Sequence, residues 1–513
     1  MDYLEGKLSR FFGFSTFRNG QKEIITDILK GSSVIGILPT GSGKSLCYQL
    51  PAHLLDGSVL VVSPLISLMI DQVKQLKATG FKEVIAINSF LSMSNRNYAL
   101  TNLASYKLIY VSPEMLQNKF FLRYLDKVKV SLFVVDEAHC ISQWGHEFRP
   151  DYLKLNHAIN QIGNPTVLAL SATATPEVQI DIEQQLGLKE VKKHIHPMDR
   201  DNIAFMVQRF TQYQEKIAYV VDVLKKFNVP TMIYFSSRNT TEKAAEELSV
   251  NLPNHRIAYY HGGMEQEDRI LIQQQFMNNQ LDVICCTSAF GMGINKKDIR
   301  LVVHFHLPTQ VESFIQEVGR AGRDGQASAS LVLVAPNDDQ LPKRLIENEL
   351  PDYQTVNDII DFLSAKENDN FSIKSETKML DYFNLNETQW RFLLFQFEKH
   401  GMIKESRIME EFNDWQMLKN QLYNLIVTRN TYKQKKLTEL LKWADNEHVC
   451  RRKLLFSSFQ ETLSQPLYGC CDVCDFSFLT WEPPIVERNI SIPPKGWEET
   501  FKQLMLQGDY RED

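Results

Sequence analysis

The segment Leu38-Pro39-Thr40-Gly41-Ser42-Gly43-Lys44-Ser45 joins an apolar run to a helix that should begin near Leu46. Gly41 and Gly43 let backbone N–H groups curl around phosphate oxygens, which makes Thr40, Gly41, Ser42 and Gly43 nucleotide-binding candidates. Lys44 then reaches the β- and γ-phosphates of a nucleotide, and the Ser45 hydroxyl can ligate Mg2+. The strict phosphate-loop pattern wants glycine at 38, where this chain has leucine; the strand–loop–helix setting compensates. A second acidic element, Asp136-Glu137-Ala138-His139, ends the apolar run Leu132–Val135. Asp136 can hold Mg2+ there, and Glu137 can polarise an attacking water. Phosphoryl transfer is mostly charge stabilisation, so cations are expected at the γ-phosphate. Gln316-Glu317-Val318-Gly319-Arg320-Ala321-Gly322-Arg323 supplies two arginines three apart among glycines.

A further cluster concerns metal. Cys47, Cys140, Cys285 and Cys286 are scattered and read as reduced core thiols, whereas Cys450, Cys470, Cys471 and Cys474 crowd together. A tight late cluster in an intracellular chain points to a metal site rather than a disulfide frame, and four thiolates suit tetrahedral Zn2+.

The elements that must carry these residues follow from patterning. Val34–Leu38, Val59–Val62, Leu108–Val111, Leu132–Val135 and Val167–Leu170 are short, nearly continuous apolar runs. The theme repeats at Thr231–Phe235, Val283–Cys286, Leu301–Phe305 and Leu331–Val334. Such runs fit parallel sheets covered on both faces. The expected fold class is therefore α/β, two tandem units with parallel sheets, followed by a mainly helical region and a cysteine module. Boundaries are expected at 1–200, 201–340, 341–440, 441–478 and 479–513, the last a largely irregular tail. Asn386 should cap a helix whose Trp390, Leu393, Leu394 and Phe397 share one face. Residues 341–440 read equally well as a winged-helix unit or as a helical spacer.

The chain of 513 residues is 43% hydrophobic with a net charge of −6, which argues against disorder. An acidic body would need a local basic groove to hold nucleic acid. Between Arg429 and Lys453 stand eight Lys/Arg and three Asp/Glu, suited to a solvated helix face or to duplex phosphates. Neither a long apolar span nor a secretory leader is evident, so a cytoplasmic protein without membrane association is expected.

The ordered motifs resemble superfamily 2 helicases, and within them the RecQ helicases, over residues 8–335. Phe12 to Gln21 is similar to the family's motif 0, in which Phe14, Arg18 and Gln21 would hold adenine. Ser63–Met69 resembles motif Ia, Ser112–Glu114 motif Ib, Ser171–Thr175 motif III and Tyr234–Arg238 motif IV. Ala289–Asn295 resembles motif V, and the Arg320/Arg323 segment motif VI. Cys140–Pro150 resembles the aromatic-rich loop, in which Trp144 and Phe148 would stack on unpaired bases and Arg149 would add a phosphate or π contact. Ser63 is carried over as a further DNA contact.

The resemblance implies two RecA-like domains and an ATP-dependent DNA helicase using Mg2+ and Zn2+. It would travel 3′→5′ on single-stranded DNA and open forked duplex in repair and recombination, on the nucleoid if bacterial. The family's zinc pattern aligns with Cys450, Cys471 and Cys474 but puts its fourth position on Tyr468; Cys470, Asp472, Asp475 and His448 are the candidates to replace it. Only 39 residues follow Cys474, which suggests a short form. An RNA helicase of the same superfamily and a DNA-binding scaffold with a vestigial ATPase remain as alternatives.

Overall fold

Apolar runs without a polar face bury both of their sides, and here they do so as two parallel sheets. In the computed structural model, residues 2–484 are described except 89–90, 143–148, 292–293, 295, 366–375, 405–406, 410–411 and 460–462. The first sheet comprises β1 (Ser33–Ile37), β2 (Ser58–Val62), β3 (Val84–Ile87), β4 (Leu108–Val111), β5 (Val130–Val135), β6 (Thr166–Ser171) and β7 (Val191–Ile195). Its order is β3-β4-β2-β5-β6-β1-β7. The second comprises β8 (Ile203–Arg209), β9 (Thr231–Tyr234), β10 (Ile257–Tyr260), β11 (Val283–Cys286), β12 (Leu301–His304) and β13 (Ser328–Val334), in the order β10-β11-β9-β12-β13-β8. Every strand pairing in both sheets is parallel. Central strands such as Val59–Val62 and Leu132–Val135 are fully buried. Parallel sheets present their ligand-binding loops at the carboxyl ends of the strands. The segments following β1, β5 and β6 emerge together there, because those strands are neighbours.

The helical region has its own core around Ile360, Trp390, Leu393, Phe397 and Leu422. Asn386 caps the helix Glu387–Lys399 through a reciprocal box with Gln389. Three helices, Tyr353–Ser364, Glu376–Phe383 and Glu387–Lys399, precede a hairpin of β14 (Ile403–Lys404) and β15 (Arg407–Ile408). Lys154 and Glu398 pair at 2.6 Å, joining this region to the first α/β unit.

The 31-residue helix Trp415–Asp445 follows. Its basic run does not form a continuous outer face. Arg429 and Lys433 are buried and both pair with Glu349, and Lys436 pairs with Glu312. Beyond the helix, Arg451 pairs with Asp472 and Arg452 with Asp199. Of the eight cations, Lys435, Lys442 and Lys453 are exposed.

The cysteine module lies on the edge of the second sheet: Phe205 N donates to Cys470 O at 3.1 Å, and Asp472 N to Phe205 O at 2.9 Å. The chain beyond it is less free than its sequence suggests, since Phe476, Phe478 and Trp481 are buried around Phe227. Residues 485–513 lie outside the described set. Among the described residues no helix is long and apolar enough to cross a membrane.

Candidate nucleotide cleft and metal centre

The phosphate loop leaves β1 and enters the helix Leu46–Leu54. Gly41 has φ +83°, in the left-handed region that a side chain would strain. Arg18 Nη1 donates to Gly41 O at 2.5 Å, and Gln21 Nε2 to Ser42 O at 2.9 Å and Gly43 O at 3.1 Å. The two side chains expected at adenine therefore hold loop carbonyls in this state. Phe14 presents an exposed ring (56%). Lys44 and Ser45 are half-buried, and the Lys44 charge acts on Asp136. Ser42 Oγ is buried without a hydrogen-bond partner.

The acidic box follows β5. Asp136 is buried, and loss of hydration, followed by the adjacent Glu137 charge, pushes its carboxyl up to about 7. Tyr152 Oη donates to Asp136 O at 3.0 Å. Glu137 has φ +48°, which is costly for a residue with a side chain and is typical of functional sites. His139 is fully buried, with Nδ1 3.5 Å from the Glu137 carboxylate and 3.0 Å from Ser171 Oγ. Ser171 ends β6, so the motif III segment and the acidic box share one hydrogen-bonded cluster.

The second unit meets this cluster directly. The helix Val311–Val318 follows β12 and carries buried Gln316. Gly319 approaches Thr40 so closely that an added Cβ would sit 2.8 Å from Thr40 Cβ. A Cβ at Gly41 would meet Arg323 Cγ at 2.9 Å. Arg320 donates to Gly291 O and Arg323 to Ile294 O. Burial, and then the charges of Arg320 and Arg200, bring Arg323 down to about 9, so this corner disfavours further positive charge and favours an anion.

Arg200 carried no motif signal. From the link between the sheets, its Nη1 donates to Thr40 O at 3.1 Å and its Nη2 to Gly322 O at 2.5 Å. Its carbonyl accepts from Arg452 Nη1 at 2.9 Å. Only the spatial meeting of segments more than a hundred positions apart reveals it.

On the expected DNA side, Arg149 Nη1 donates to Pro64 O at 3.1 Å, tying the aromatic-rich segment to motif Ia. Ser63 is 1% exposed, and its N–H pairs with Val111 O at 3.0 Å. Its hydroxyl is thus interior in this state rather than on the surface expected of a DNA contact. Trp144 and Phe148 lie outside the described residues.

The sulfurs of Cys450, Cys470, Cys471 and Cys474 all fall within 4.8 Å of one another. Cys450 and Cys470 are 3.5 Å apart, and Cys471 and Cys474 are 3.6 Å apart. Tetrahedral zinc with ~2.3 Å bonds separates its sulfurs by about 3.8 Å, so the donor set fits. Hydrogen bonds from Cys470 and the Arg451 N–H favour the Cys471 thiolate and draw its thiol down to about 4.

Three sequence profiles match this chain: DEAD/DEAH box helicase at residues 18–181, helicase conserved C-terminal domain at 215–325, and RecQ zinc-binding at 412–475. The probable ATP-dependent DNA helicase RecS of Bacillus subtilis is 41% identical, the match covering 98% of each chain. The ATP-dependent DNA helicase RecQ of Haemophilus influenzae is 41% identical over 64% of this chain and 53% of its own. The crystal structure of the helicase MrfA bound to DNA superposes with TM-score 0.57 at 18% identity, covering 82% of this chain and 64% of that one; at that identity it speaks for the fold alone. With two RecA-like sheets, a four-cysteine module and a relative matched end to end, the chain belongs to the RecQ family of ATP-dependent DNA helicases.

Proposed function

We propose that the cleft hydrolyses ATP and that its closing and opening move single-stranded DNA 3′→5′ through the protein, opening forked duplex during repair and recombination. The observation that carries this reading is the contact of Gly319 and Arg323 with Thr40 and Gly41. A triphosphate on one unit would there meet cations from the other. Thr40 to Ser45 would wrap the phosphates, with Lys44 on the β- and γ-phosphates. Ser45 and Asp136 would hold Mg2+, for which a buried carboxyl beside a second one is a fitting donor set. That ion supplies neutralisation of phosphate charge. Glu137 orients the water and takes its proton, while Gln316, Arg320 and Arg323 stabilise the charge that develops on the γ-phosphoryl group.

Arg18 and Gln21 would leave the loop carbonyls for adenine, with Phe14 stacked on the ring. Trp144, Phe148 and Arg149 would grip the strand, and Ser63 would support that grip from below. Cys450, Cys470, Cys471 and Cys474 would hold Zn2+, and residues 341–440 would act as a winged helix. A cytoplasmic setting, on the nucleoid if the source is bacterial, fits this activity.

The test is ATP turnover by the full chain alone, with single-stranded DNA and with RNA, alongside unwinding of duplexes with 3′ or 5′ overhangs. DNA-stimulated turnover and opening from the 3′ overhang are expected. Preference for RNA, or turnover absent under every condition, contradicts the reading. Trp144→Ala should retain nucleotide binding and blunt the stimulation by DNA.

A further inference from the structure

Four parts of the chain converge on one joint. Thr40 and Ala172 come from the first unit, Met198 and Arg200 from the link, Ile315 and Gly319 from the second unit, and Leu455 and Phe456 from the cysteine module; together they line one small cavity. Arg200 crosses this joint, bonded to Thr40 O on one side and Gly322 O on the other. Its own backbone is fixed in turn: Asp199 forms an ion pair with Arg452 in which both side chains are almost completely buried, and Arg452 also donates to Arg200 O and Ile203 O.

We propose that Arg200 is a positioning residue of the ATPase cycle, a latch that holds the Arg320/Arg323 segment against the phosphate loop and is itself set in place by Arg452 of the cysteine module. The guanidinium fork suits this work, because it can donate to carbonyls of two segments at once, which a single ammonium cannot do with the same geometry. Arg200 acts through the alignment of the two units. Its loss therefore lowers the rate of the chemical step while leaving nucleotide affinity, which the first unit supplies, nearly intact. The anchoring by Arg452 makes the state of the cysteine module felt at the ATP site, with no direct contact between the sulfurs and the nucleotide.

This inference rests on the reading of the cleft as the ATP site, and Lys44→Ala tests that reading separately. If Lys44→Ala leaves turnover intact, the cleft assignment fails before the latch is reached. With Lys44→Ala inactive, Arg200→Ala in the full chain should lower DNA-stimulated kcat by about 10²-fold and keep the Kd for a fluorescent ATP analogue within about threefold of the parent's. Small-angle scattering of the nucleotide-free variant should show a larger radius of gyration. Arg200→Lys, the gentler change, should show the same split between kcat and Kd. Wild-type kcat in either variant, or an equal loss of kcat and nucleotide affinity, overturns the latch.

Discussion

Cations are used in two ways in this molecule. In the cleft, Arg18, Arg200, Arg320 and Arg323 each donate to backbone carbonyls, at Gly41, Thr40 and Gly322, Gly291, and Ile294. Among the described residues, none of Arg18, Arg200 and Arg320 forms an ion pair with a carboxylate. In the C-terminal part the cations instead meet acids: Arg429 and Lys433 on Glu349, Lys436 on Glu312, Arg451 on Asp472, Arg452 on Asp199. A carbonyl satisfies a guanidinium's hydrogen bonds but not its charge, so the cleft stays ready for an anion. A carboxylate satisfies both, so the C-terminal cations hold architecture. The comparison predicts that charge removal silences chemistry in one region and weakens the fold in the other.

The largest separation should come from Lys44→Ala, with turnover falling by about 10³-fold or more while the melting temperature stays near the parent's. An inactive variant that also unfolds early would erase the distinction. Glu349→Ala should do the reverse. It removes the carboxylate that the buried Arg429 and Lys433 share, so stability should fall by about 3–5 kcal/mol, read by denaturant titration, with turnover per folded molecule preserved.

Zinc content separates the two regions further. The full chain should carry about one zinc. Cys471→Ser should lose it and lower the melting temperature, because the module pairs with Phe205 on the second sheet; full zinc content in that variant would remove Cys471 from the ligand set. The smallest effect belongs to the exposed Lys435, Lys442 and Lys453. Replacing each with alanine should reduce the salt slope of DNA affinity by about one or less; a large loss of affinity would make this helix a major DNA surface after all.

Much of this was readable from residues alone, for definite reasons. Val59–Val62 and Leu132–Val135 are apolar throughout because both faces of a parallel strand are covered. Asn386 announced its helix because capping is local chemistry. Phosphate-loop glycines and clustered thiols are equally local, so Gly41 and the four cysteines stood out by spacing. What stayed hidden depends on partners far away in the chain. The edge strand Val191–Ile195, with its lysines and histidine, lacks the apolar signature of the central strands. The basic run from Arg429 looked outward-facing because Glu349, which neutralises two of its members, stands some eighty positions away. Arg200 gave no signal because carbonyl acceptors exist at every residue, and only folding selects those of Thr40 and Gly322. Ser63 was carried over by motif resemblance as a DNA contact, and its burial depends on packing that no motif records.

The most direct test is Arg320→Ala, measured for ATP turnover at saturating single-stranded DNA together with its affinity for a fluorescent ATP analogue. Near-parental affinity with turnover reduced by about 10³-fold is the expected result, because the second unit would then contribute charge to the reaction and not to binding. Parental turnover in that variant would mean that the cleft between the two sheets is not where the triphosphate is cleaved.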